Sequence, residues 1–86
     1  MRIDYTKAAR KDLKKLPNSV SSRILAKIEA YAAEPYGQAN NVRALKGQPS
    51  YRLRVGDYRV IFTIEGSAVE IMVVYKVAHR KEVYDE

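Results

Sequence analysis

Polar and apolar residues alternate through Arg2-Ile3-Asp4-Tyr5, which predicts a short opening strand. The period then changes. Thr6 suits an N-cap, and Ala9, Leu13 and Leu16 recur at helical spacing, so a helix is expected from Lys7 to Leu16, where Pro17 stops it. A second helix starts near Asn18 or Ser19. Its stripe is Val20, Ile24, Leu25, Ile28, Tyr31 and Ala32, and Glu34-Pro35 ends it. Together these predict a helical hairpin that lies on a sheet. Residues 35–50 are rich in Gly, Pro, Asn and Gln and read as an ordered loop anchored by Val42 and Leu45.

Strict alternation returns at Tyr51-Arg52-Leu53-Arg54-Val55, and Gly56-Asp57 is a two-residue turn signal. Tyr58 to Ile64 forms the next strand, and Glu65-Gly66-Ser67 turns the chain again. Ala68 to Val77 is the most apolar segment and reads as the central strand. Val69, Ile71, Val73 and Tyr75 share one face, with Met72 and Val74 on the other. The expected architecture is α+β, ordered β-α-α-β-β-β, with a small antiparallel sheet and the hairpin packed on one face. Tyr5, Tyr31 and Tyr36 are assigned to packing, and Tyr51 and Tyr75 to inward strand faces.

Composition narrows the function. The 86 residues suit one domain, residues 1–86, with a thin core. No Cys and one His leave almost nothing for a zinc site, so neither a metal nor a cofactor is expected. The longest apolar run, Ile71 to Tyr75, is far short of the roughly 20 residues a membrane span needs. The first five residues lack the apolar stretch of a signal peptide, so a cytoplasmic protein is expected. The net charge of +6 points to a polyanion as partner.

The distribution of that charge says more than its size. Residues 1–34 hold a surplus of four bases, mostly on the outer helix face (Lys7, Arg10, Lys11, Lys14 and Lys15), where solubility is a sufficient reason and phosphate contact the alternative. Residues 43–59 hold an equal surplus in half the length, from Arg43, Lys46, Arg52, Arg54 and Arg59 against Asp57. Arg52 and Arg54, two apart, share one strand face. If Val55 and Tyr58 pair across the turn, Arg59 joins them on the face away from the helices. Like charges so placed repel unless an anion arrives, and guanidinium forks suit phosphate oxygens. Near the end of the chain, His79 is the side chain suited to proton transfer near neutrality. Arg80 follows it. Tyr84 is either a proton donor or stacking partner, or an aromatic cap on the sheet.

The ordered combination Leu45-Lys46-Gly47, Tyr51 to Phe62 and His79-Arg80-Lys81-Glu82-Val83-Tyr84 resembles the RelE/ParE toxin superfamily over the whole chain. It is most similar to the RelE-type mRNA endonucleases of type II toxin–antitoxin systems. That resemblance implies metal-independent cleavage of mRNA in the ribosomal A site, by attack of a 2′-hydroxyl that leaves a 2′,3′-cyclic phosphate. The family's catalytic positions fall by motif on Arg52, Arg54, Arg59, Arg80 and Tyr84, with Lys46, Lys76 and Lys81 as further RNA contacts. Relatives carry Lys at the two strand positions that are Arg52 and Arg54 here. Arg clamps phosphate but does not serve as a general base, so the resemblance assigns proton handling to His79 or Tyr84. It also implies a RelB-like antitoxin that covers the basic face, with a heterotetramer as one possible assembly. Two other functions remain open at this point: a ParE-type gyrase inhibitor that cleaves nothing, and a basic RNA-binding module without chemistry.

Overall fold

A computed structural model describes residues 1–83, the side chains of residues 38 and 39 excepted. The chain runs β1 (Arg2–Tyr5), α1 (Lys7–Lys14), α2 (Asn18–Ala33), a 3-10 helix (Pro35–Asn41), β2 (Val42–Ala44), β3 (Tyr51–Val55), β4 (Tyr58–Glu65), β5 (Ile71–His79) and a closing 3-10 turn (Arg80–Glu82). Thr6 caps α1 as its side chain predicts, its hydroxyl accepting the Ala9 N–H at 3.2 Å. No side chain caps α2: Pro17 precedes it, and Asn18 is already helical. Pro at this junction supplies a fixed φ and lacks only a donor that a helix start leaves unused.

The sheet order is β1-β5-β4-β3-β2. Two features correct the expected antiparallel sheet of four strands. β1 joins parallel to β5, with Ile3 opposite Met72, so the sheet is mixed. The segment expected to be loop contributes β2, antiparallel to β3 at the far edge. β5 starts at Ile71 rather than Ala68 and lies beside β4, which is the central strand. The topology follows from the hairpin of helices. It carries the chain from β1 across one face to the opposite edge, and the meander β2 to β5 then returns to meet β1.

Among the described residues, the helices cover one face of the sheet and leave the other open. Ile24, Ile28, Tyr31 and Ala32 of α2 and Ala9 of α1 bury against Leu53, Val55, Val60, Phe62, Met72, Val74 and Val77. Phe62 sits at the centre, its ring 5.1 Å from that of Tyr31 and 5.5 Å from that of Tyr51. Burying such an aromatic contributes roughly 1.5–3 kcal/mol from area alone.

β5 departs from simple alternation. Phe62 pairs with Val74, but Ile61 pairs with Lys76, so Tyr75 is an extra residue in the strand. Before it Met72 and Val74 face the helices; after it Val77 does. The bulge lies where β1 has ended, and α1 supplies the missing partners: the Thr6 hydroxyl donates to the Tyr75 carbonyl at 3.3 Å, and Asp12 Oδ2 accepts the Val77 N–H at 3.0 Å. Tyr75 is not inward: it keeps to the face of Ile71 and Val73, opposite the buried Met72 and Val74, and that face is the open one. It is 41% exposed on the open face and donates to Glu65 Oε2 at 2.9 Å. Tyr36, assigned to packing, is 96% exposed on the first 3-10 helix. Tyr5, Tyr31 and Tyr51 do pack against the core.

Candidate functional site

Alternation along β3 buries Leu53 and Val55 and turns Arg52 and Arg54 to the open face. Val55 and Tyr58 pair across the turn, with Gly56 at φ +58, a left-handed conformation that glycine adopts without penalty. That register sets Arg59 directly opposite Arg54. On the other side of β3, Arg43 of β2 stands directly opposite Arg52. Residues so paired have Cβ atoms about 4.5–5.5 Å apart. Four guanidinium groups thus rise from three neighbouring strands on one face, two per cross-strand pair.

Arg80 completes the group from the end of β5. Its backbone N–H donates to the Asp57 carbonyl at 2.7 Å, and its Nε lies 3.8 Å from Asp57 Oδ1, which fixes it against the β3–β4 turn. Two adjoining cavities result. One, of about 260 Å³, is lined by Asn40, Asn41, Arg43, Arg52, Arg54 and Arg59. The other, of about 420 Å³, is lined by Arg54, Arg59 and Arg80 with Asn41, Asp57 and Lys27. One side chain and two backbone carbonyls orient the cluster: Arg54 Nη2 donates to Asn41 Oδ1 at 3.2 Å, and Arg59 Nη1 donates to the carbonyls of Gly56 and Tyr58 at 3.1 and 3.0 Å.

The electrostatics are one-sided. Desolvation pushes the Arg59 pKa down, the charges of Arg52, Arg54 and Arg80 push it further, and only Asp57 opposes them. A guanidinium does not lose its proton at neutrality in response. The strain instead makes the face a receptor for anionic oxygens, which relieve repulsion as they bind. Chemically, the cluster can hold a phosphodiester and stabilise charge that grows on it.

Of the residues marked out by sequence, Arg52, Arg54, Arg59 and Arg80 come together here. His79 does not. It pairs with Tyr58 on β4, so its ring lies on the helix face, edge-on to Tyr58 with centroids 5.4 Å apart. There it lines a separate cavity of about 320 Å³ with Asp12, Lys15, Leu16, Tyr58 and Glu82. The Tyr75 bulge is the cause, because one extra residue reverses which face every later side chain of the strand occupies. Lys76 lines that other cavity too, Lys46 is exposed in the β2–β3 turn, and Lys81 is exposed in the closing turn. Tyr84 lies outside the described residues. Two cations at the cluster were not marked out as site residues: Arg43, whose place depends on the three-residue strand β2, and Lys27, which reaches the second cavity from α2. Among the described residues, no group of three or more His, Cys, Asp or Glu comes together to hold a metal ion. Nor, among them, is any helix long and apolar enough to cross a membrane.

Known proteins share this fold and part of this sequence. A family model described as the ParE toxin of type II toxin–antitoxin system, parDE, matches residues 3–84. Toxin RelE3 of Methanocaldococcus jannaschii is 31% identical over 90 residues, spanning 99% of this chain and 97% of that protein. Among solved structures, the chain matched in the RelB–RelE antitoxin–toxin complex from Methanococcus jannaschii is 29% identical, with a TM-score of 0.68 over 92% of both chains. The chain matched in the archaeal RelE–RelB complex from Pyrococcus horikoshii OT3 is 28% identical, with a TM-score of 0.75 over 95% of this chain and 97% of that one.

Proposed function

This chain belongs to the RelE/ParE superfamily of toxins from type II toxin–antitoxin systems, and from that premise we propose that it cleaves mRNA on the ribosome and so arrests translation. The observation that carries this reading is the open sheet face on which Arg43, Arg52, Arg54 and Arg59 stand in cross-strand pairs beside Arg80. A phosphodiester seated there has its non-bridging oxygens held by guanidinium forks. The ribose 2′-oxygen attacks the adjacent phosphorus, the bond to the 5′-oxygen breaks, and a 2′,3′-cyclic phosphate and a 5′-hydroxyl result. Arg52, Arg54, Arg59 and Arg80 stabilise the extra negative charge of the transition state, which preorganised donors do without moving. The attacking hydroxyl must lose a proton and the leaving oxygen must gain one. Tyr84 carries this role in our reading, because the family resemblance points to it or to His79, and His79 faces the helices.

The same premise supplies a partner. The two solved relatives named above come from complexes of RelE with RelB, and a RelB-like antitoxin in the cytoplasm is the proposed ligand of this face when the toxin is held silent. An acidic or amphipathic segment would neutralise the arginines as RNA does.

Translation in vitro with 5′-end mapping of the message tests the reaction. Cuts that appear only on ribosome-engaged message, carry a 5′-hydroxyl and vanish in Arg80→Ala are the expected result. A second reading is favoured by the matched family description, which is that of ParE toxins. In that case the protein inhibits DNA gyrase, so a supercoiling assay run beside the translation reaction would respond and the message would stay whole.

A further inference from the structure

The histidine that faces away from the arginines is tied to one of them by other means. His79 is the N-cap of the closing turn Arg80–Glu82. Its Nδ1 accepts the Lys81 N–H at 3.1 Å, and its own backbone N–H donates to Glu82 Oε1 at 3.1 Å. The two bonds form a reciprocal capping box, in which each residue satisfies a donor that the start of the turn leaves without a backbone acceptor. The ring is wedged edge-on against Tyr58, so the box is anchored to β4 as well as to β5. Arg80 is the first residue of this turn, and its backbone N–H is bound to Asp57. The strand end therefore sends His79 to the helix face and Arg80 to the arginine face, and the box determines where the chain goes next.

We propose that His79 and Glu82 are positioning residues for Arg80: their capping box holds the guanidinium beside Arg54 and Arg59, and the imidazole serves as a hydrogen-bond acceptor rather than as an acid or base. An imidazole that accepts through Nδ1 holds its proton on Nε2, and Nε2 here lies on the face opposite the proposed RNA. The same acceptor can come from Asn, a favoured N-cap residue that carries no titratable group. Glu82 can likewise be replaced by Gln, which keeps an acceptor oxygen at the third turn position.

The inference rests on the arginine face being the RNA-cleaving site, so its test uses two readouts that need no cleavage. Four variants are compared with the parent: His79→Ala, His79→Asn, Glu82→Ala and Glu82→Gln. Amide hydrogen exchange at Lys81 and His79 reports the box directly, and affinity for a 2′-O-methyl oligoribonucleotide, which cannot be cut, reports the placement of Arg80. His79→Ala should speed exchange at Lys81, and Glu82→Ala exchange at the His79 amide, each by roughly tenfold, the effect of losing a cap. Both Ala variants should also weaken oligonucleotide binding and lower mRNA cleavage by a similar factor, while Asn and Gln restore most of each. If His79→Asn cleaves as poorly as His79→Ala although Lys81 exchange is restored, the imidazole itself performs the chemistry and the proposal fails. Unchanged exchange and affinity in both Ala variants would overturn it as well. A parent that cuts no message removes the nuclease reading alone, because exchange and affinity still decide whether the box holds Arg80.

Discussion

The two faces of the sheet are made by the same strands and obey opposite rules. Toward the helices, Leu53, Val60, Phe62, Met72 and Val74 are fully buried, and every contact favours folding. Toward solvent, Arg54 faces Arg59 and Arg43 faces Arg52, so the cross-strand pairs oppose folding. The lesson is that stability and function are drawn from separate faces. The buried face supplies enough free energy to hold the open face in a conformation that its own charges disfavour. That is the arrangement expected of a site built to receive an anion that the free protein lacks.

Substitutions that touch one face at a time break this comparison or sharpen it. The largest effect belongs to the core. Phe62→Ala should cost about 3–5 kcal/mol, a large part of the stability of a domain this size, seen as a collapse of the urea midpoint. Next comes the open face. Replacing Arg59 by Gln should lower the cleavage rate by about 10²–10³-fold, as removal of one preorganised transition-state donor does, with the thermal midpoint changed little. Survival of cleavage in that variant would detach the chemistry from the cluster.

A smaller effect is expected where α1 meets the end of β5. Asp12→Ala removes the acceptor of the half-buried Val77 N–H and should cost about 1–3 kcal/mol, while Asp12→Asn keeps an acceptor and recovers much of it. The smallest effect has the opposite sign. Arg54→Gln removes one member of a like-charged pair and should raise stability by about 0.2–1 kcal/mol. The same variant should bind single-stranded RNA more weakly, with a salt dependence shallower by about 0.7 in log–log slope, because one fewer phosphate is neutralised. A variant that became less stable would show that the arginine pairs are not in conflict.

How far these faces could be read in advance depends on how local their causes are. The alternation of Tyr51 to Val55 and the Gly56-Asp57 turn are properties of adjacent residues, and they placed Arg52, Arg54 and Arg59 on one face correctly. The helical stripes likewise marked Ile24, Ile28 and Tyr31 as core. What stayed hidden depends on distant partners. β2 is three residues long and exists through its pairing with β3, so Arg43 had no visible face. The parallel pairing of β1 with β5 joins the two ends of the sequence. The bulge at Tyr75 is not encoded by any local breaker. Thr6 and Asp12, distant in sequence, bond its backbone, and that single extra residue decides the side taken by His79. β5 is apolar on both faces, so its periodicity alone could not tell which face the helices cover.

The central claim is that RNA phosphate meets the strand arginines and not the basic face of α1, where Lys7, Arg10, Lys11, Lys14 and Lys15 are exposed. Titration of the isotopically labelled protein with a 2′-O-methyl oligoribonucleotide, followed by amide NMR, compares the two directly. The account predicts shifts concentrated at Arg43, Arg52, Arg54, Arg59 and Arg80, with α1 unmoved. Shifts centred on Lys7 to Lys15 with the strand arginines unmoved would contradict it.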